Sequence, residues 1–203
     1  MPHYALSELL IVLAGVGAAR ACLNQGRAAA ALGILLFSGA AALGAVRFGL
    51  DRDGSLIVAL ADVHSLAGTL GGTAAMTALV YDLLARRVSA TRWAGSPLKR
   101  RYIVAVSLAL AFAMAFPVLI VPLFAIWSLL FIILATRSAA LFQLPPVKVF
   151  ALSALMLFNV LLFRQAAWLS PEVSWHVFHV LTAVWLAGLG YVLARPLPAS
   201  QHA

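Results

Sequence analysis

The chain has 203 residues, of which 64% are hydrophobic and 10% charged, with a formal net charge of +8 and a mean hydropathy of +1.03. No water-soluble domain of this size can hide so much apolar surface, so its solvent is lipid. The basic balance, with a pI near 10.8, reads as a membrane topology signal that also faces anionic lipid, and not as a nucleic-acid surface.

Apolar runs long enough to cross a bilayer, about 17–25 residues each, start near Ala5, Ala28, Leu56, Tyr102, Pro122, Val147 and Ser174. The run from Tyr102 to Leu141 is too long for one span and carries Pro117 and Pro122. Proline removes a backbone donor and clashes with the preceding turn, so this run reads as two helices joined by a tight turn. A six-span alternative leaves it as one long broken helix. The expectation is an all-α polytopic membrane protein, a bundle of seven transmembrane helices. It forms one transmembrane domain over 1–203, integral to a bacterial inner membrane, with a basic inner loop at about 86–101. The first apolar run carries Glu8 and has neither a basic leader nor a convincing small-residue cleavage site, which argues against a signal peptide. Cys22 is the lone cysteine, which excludes an intrachain disulfide and a cysteine-only metal site.

Lys and Arg resist transfer outward, so loop charge sets orientation. The third connection carries Arg86, Arg87, Arg92, Lys99, Arg100 and Arg101. The first carries Arg20 and Arg27, the fifth Arg137 and Lys148, and the C-terminus Arg195. In the even connections Arg47 and Arg52 are offset by Asp51 and Asp53, Arg164 is offset by Glu172, and the turn after Pro117 has no charge. The predicted N-terminus is outside and the C-terminus inside.

With sides assigned, Glu8, Arg47, Asp62, His64, Asn159, Arg164, His176 and His179 all fall in the outer half. A charge at mid-bilayer costs roughly 2.5–3.5 kcal/mol or more, so ionisable groups at that depth default to a functional hypothesis. Helical phase puts His64, Gly68 and Gly72 on one stripe, Ala40, Gly44 and Arg47 on a second, and His176, His179, Ala183 and Ala187 on a third. Asp62 points about 200° away from His64. Asp82 and Arg86 are four apart near the inner end, the spacing of an ordinary helix-end pair.

His176 and His179 are about 60° apart around their helix and could share one metal, with His64 as third nitrogen ligand and an open position for water. Zinc there would bring its bound water to a pKa of about 7 and supply hydroxide. The bland alternative places both histidines in an interfacial belt beside Trp168 and Trp175. Arg47 either grips a lipid phosphate or substrate carboxylate, or forms an internal salt bridge to Glu8 or Asp62. Asp62 is a general base, an orienter of bound water, or that counter-ion. Arg164 reads as snorkelling to the headgroups and Asn159 as a bond to a neighbouring helix. His3 and His202 sit at the termini and carry no reading.

The segment Ser174-Trp175-His176-Val177-Phe178-His179-Val180-Leu181 resembles a motif of the seven-span hydrolase superfamily of alkaline ceramidases and progestin and adipoQ receptors. The resemblance implies a zinc site and hydrolysis of a lipid amide. Asp62 matches the family's aspartate early in the third helix, and His179 the second histidine of its last-helix pair. Trp175 stands where the first histidine of that pair belongs, and Arg47 where the family has a histidine at the end of the second helix.

Two function classes follow. The first is a zinc-dependent lipid amide hydrolase, ceramidase-like, with His64, His176 and His179 as metal ligands, Asp62 as catalytic base, and Arg47 and Glu8 as substrate or counter-charge groups. The second is a non-catalytic seven-helix protein, lipid-binding, receptor-like or a complex subunit, with a structural Arg47–carboxylate cluster. Membrane lipid is the expected partner in both, and a second copy of the chain or a larger complex is open. A third class, one haem between His64 and His179, requires a coloured protein.

Overall fold

The structure, a computed structural model, describes residues 2–50, 55–89, 98–164 and 166–195. Arg52 with its flanking aspartates, Arg92 and His202, which entered the charge and terminus readings, lie outside these residues. Among the described residues the chain is all helical: α1 (Pro2–Asn24), α2 (Ala28–Gly49), α3 (Ser55–Ser89), α4 (Leu98–Ala115), α5 (Ile120–Arg137), α6 (Pro146–Leu162) and α7 (Pro171–Leu193), with short 3-10 turns at Pro117–Leu119 and Ala139–Phe142. Among the described residues, five helices contain stretches long and apolar enough to cross a membrane, while Arg101–Ala115 and Pro146–Leu162 are shorter apolar helices. This is an integral, polytopic membrane protein.

Local chemistry explains where the helices stop. Gly26 takes φ +67, and the Arg27 and Gly26 amides donate to the Cys22 and Leu23 carbonyls at 2.9 Å each. This closes α1 with the left-handed C-terminal motif that glycine favours. The break between α4 and α5 falls at residues 116–119, as expected from Pro117. Pro122, however, sits in the first turn of α5, where no amide hydrogen bond is due, and breaks nothing. The Ser170 hydroxyl accepts from the Val173 amide at 3.3 Å, with Pro171 opening the helix and Glu172 in its first turn. Helix α7 therefore begins three residues before the expected start at Ser174.

Part of the stretch expected as a basic loop at about 86–101 is helical among the described residues. Helix α3 continues through Arg86 and Arg87 to Ser89, and α4 begins at Leu98. At 35 residues, α3 is about 50 Å long, well beyond a hydrocarbon core of about 30 Å.

Helices α1, α2, α3, α5, α6 and α7 pack in that order into a closed ring, α7 returning to α1, while α4 lies outside on α3. One half of the ring is filled by Trp185, Phe131, Ile34, Met76, Leu79 and Leu186. Small residues allow the closest crossings: a Cβ on Gly33 would lie 2.8 Å from the Ala75 carbonyl oxygen, and one on Gly190 2.6 Å from Ala18 Cα. Every helix also exposes large apolar side chains, among them Leu13, Leu35, Leu66, Leu108, Ile126, Phe158 and Val184. A belt of this extent is stable only against lipid.

The filled half ends in a polar clamp. Arg27, 5% exposed, donates to Asp82, 6% exposed, and to the Leu193 carbonyl. Arg86 donates to the Arg195 carbonyl at 2.9 Å, and Arg195 to the Phe142 carbonyl at 3.0 Å. Two guanidiniums thus meet the C-terminal end of α7, where the helix dipole favours cations. Asp82, one turn before Arg86 on α3, is bound by Arg27, brought from the start of α2 by the tight turn at Gly26.

Candidate functional site

The other half of the ring is hollow. A chamber of about 370 Å³ opens between α1, α2, α3, α5, α6 and α7, a size within the ~300–1,000 Å³ range of ligand pockets. Ile11, Phe37, Phe124, Met156, Val160 and Phe178 give it apolar walls, and Glu8, Arg47, His64, Arg164 and His179 supply charge. The stripe of His64, Gly68 and Gly72 faces this space. Its missing side chains leave room instead of drawing two helices together. A Cβ on Gly68 would meet nothing within 4 Å, and one on Gly72 only the Phe124 ring at 3.6 Å.

Glu8 is 1% exposed, and a single carboxylate oxygen, Oε1, lies at ion-pair distance from both imidazoles: His179 Nε2 at 3.2 Å and His64 Nε2 at 3.4 Å. Gly44 makes this possible. A Cβ there would sit 2.3 Å from Glu8 Oε1, 2.6 Å from its Cδ and 2.9 Å from His64 Cε1. His179 Nδ1 lies 2.7 Å from the Trp175 carbonyl oxygen. A carbonyl only accepts, so Nδ1 carries a proton. His179 Nε2 and Glu8 Oε1 stand at ion-pair distance, a contact that offsets part of the cost of burying both groups.

An aromatic cluster covers the end of the chamber. The Trp175 ring stacks on His179 with centroids 4.3 Å apart, and packs against Phe48 and Tyr4 at 5.2 Å each. Phe48 also meets the His64 ring edge-on at 6.1 Å. The Arg47 guanidinium lies over the Phe48 ring, 4.9 Å from its centroid. Chamber-lining residues that are exposed, namely Ser65, Gly68, Val121 and Arg164, put the opening at the side, between α3 and the edge formed by α5 and α6.

Several sequence expectations are corrected here. Among the described residues no group of three or more His, Cys, Asp or Glu side chains is arranged to hold a metal ion. The carboxylate oxygen of Glu8 occupies the point on which His64 and His179 converge, and His176 is elsewhere. Its Nδ1 is 3.2 Å from Ser7 Oγ, and its ring packs beside His3 and Tyr4. The zinc-dependent lipid amide hydrolase reading, with its hydrolase and zinc assignments, is therefore overturned. The same oxygen between the two imidazoles leaves no plane for a haem. Asp62 is exposed on the outer surface of α3 and does not line the chamber, so it has no position as catalytic base. Arg47 forms no ion pair with Glu8 or Asp62 among the described residues; the carboxylate it was expected to bind is taken by histidines. Arg164, expected only to reach headgroups, lines the opening. Asn159 does bond its neighbouring helix, donating to the Phe178 carbonyl at 2.8 Å and to Thr182 Oγ1 at 3.1 Å.

The sequence reading did not find Gly44 as the packing point of Glu8, nor the aromatic cover of Tyr4, Phe48 and Trp175. The only available signal for the first was Gly44 lying one turn before Arg47, at the depth of Glu8. The chain matches no protein-family model, no curated protein and no solved structure.

Proposed function

We propose that this chain is a non-catalytic seven-helix membrane protein that binds a lipid in its half-hollow ring, with the chamber toward the outside and the C-terminus inside. The observation that carries the reading is Arg47. Its guanidinium lines an apolar chamber of ligand size, half-buried, with no carboxylate partner among the described residues. A cation held in that setting favours an anionic oxygen brought by an occupant. The orientation is supported by Arg20, Arg27, Arg86, Arg87, Arg101, Arg137, Lys148 and Arg195, which belong to the end of the helices away from the chamber, the bias expected of a cytoplasmic face. A bacterial inner membrane fits that bias.

The test is native mass spectrometry of protein purified without a histidine tag. Wild type is expected to carry a stoichiometric lipid that Arg47→Gln loses while remaining folded, and chelators are expected to change neither stability nor lipid content. An Arg47→Gln protein with the same lipid complement as wild type would remove the basis of this reading.

A further inference from the structure

We infer that the occupant is a single-chain amphiphile with a phosphate-monoester head, which enters sideways from the membrane between α3 and the α5–α6 edge. This rests on the chamber being a lipid site and adds the class of lipid and its route.

Charge selects the head. Glu8 is faced by His64 and His179, which leaves the two guanidiniums of the lining, Arg47 and Arg164, without a carboxylate among the described residues. A phosphate monoester carries roughly −1.5 to −2 at neutral pH and offers three acceptor oxygens. It matches two guanidiniums, whereas a carboxylate leaves one unmatched. A choline-bearing head brings a further cation into a site that already holds two.

Volume selects the tail. At about 370 Å³ the chamber lies near the small end of the ~300–1,000 Å³ range of ligand pockets, which suits a head and the first part of one chain better than of two. Shape selects the route. Tyr4, Phe48 and Trp175 close the end of the ring. At the lateral opening, Ser65 and Gly68 are exposed and small, Val121 is 70% exposed, and Arg164 stands at the rim. The remainder of the tail can therefore stay in the bilayer while the head lies inside.

The experiment measures binding of dodecyl phosphate, dodecanoate and dodecylphosphocholine to the full chain in phosphatidylcholine nanodiscs. Dodecyl phosphate is expected to bind tightest. Arg47→Gln and Arg164→Gln are each expected to weaken it by about tenfold or more, the scale of one lost charge-assisted hydrogen bond. Gly68→Leu places a side chain at the opening, where the structure has open space, and is expected to weaken dodecyl phosphate as strongly with no loss of thermal stability. Ser65→Leu serves as a second rim variant. Equal affinity for dodecylphosphocholine or dodecanoate would overturn the head assignment, and unchanged binding in both rim variants would overturn the route. A wild-type protein that co-purifies with a two-chain lipid, released by Arg47→Gln, would overturn this inference while leaving lipid binding in place. If no lipid co-purifies and no probe binds, both readings fall.

Discussion

Gly44→Ala adds one methyl group at the point where α1, α2 and α3 meet. The added carbon would lie 2.3 Å from Glu8 Oε1, 2.6 Å from Glu8 Cδ and 2.9 Å from His64 Cε1, all inside van der Waals contact. Glu8 cannot swing away freely, because it is 1% exposed and held by His64 and His179. Overpacking of this kind costs about 1–3 kcal/mol, against up to about 1 kcal/mol gained by replacing glycine with alanine inside a helix. The expected net effect is a destabilisation of about 1–2 kcal/mol, read as a shift in an SDS-unfolding titration from maltoside micelles. The decisive comparison repeats the substitution in a Glu8→Ala background. The two nearest obstacles are then gone and the His64 ring, which Glu8 no longer faces, can move away from its 2.9 Å approach, so Gly44→Ala should become neutral or stabilising, a coupling of about 1–3 kcal/mol. Gly68→Ala, whose Cβ meets nothing within 4 Å, should be neutral or stabilising in either background. If Gly44→Ala costs the same with and without Glu8, the carboxylate is not where the structure places it.

At the opposite end, Asp82→Ala leaves Arg27 buried without its carboxylate, and removal of one partner of a buried pair costs about 3–5 kcal/mol. Thermal unfolding should show that loss, with partial recovery in the Arg27→Met, Asp82→Ala double variant; a change below about 1 kcal/mol would mean the pair is solvated. Asn159→Ala removes two bonds between α6 and α7, each on the order of 0.6 kcal/mol and up to about 1.7. The same titration should register about 1–2 kcal/mol, and no change would place Asn159 outside the α6–α7 contact.

Much of this architecture can be read from the residues. The apolar runs, the proline-bearing turn at 116–119 and the alternation of basic and neutral connections lead to seven helices, because lipid imposes length and charge rules on every span. The common depth of Glu8, Arg47, His64 and His179 follows from the same counting. Their partners do not. Whether Glu8 meets Arg47 or two imidazoles depends on the rotation of α1 about its axis and on the side chain that Gly44 lacks, and neither leaves a periodic trace. His176 and His179 look alike at three residues' spacing, but the 60° between them sends one to Ser7 and the other to Glu8. The glycine stripe of α3 reads as a contact face, and only the positions of α5 and α6 reveal it as the wall of a cavity. Arg27 reads as a loop cation, yet the tight turn at Gly26 carries it inward to Asp82.

Photo-crosslinking with a dodecyl phosphate bearing a diazirine near its head locates the occupant most directly. Peptide mapping should find label on Phe37, Phe124, Met156 or Phe178, which line the chamber, and Arg47→Gln should abolish it. Label confined to outward-facing residues such as Leu13, Val184 and Tyr191, insensitive to Arg47→Gln, would contradict the account.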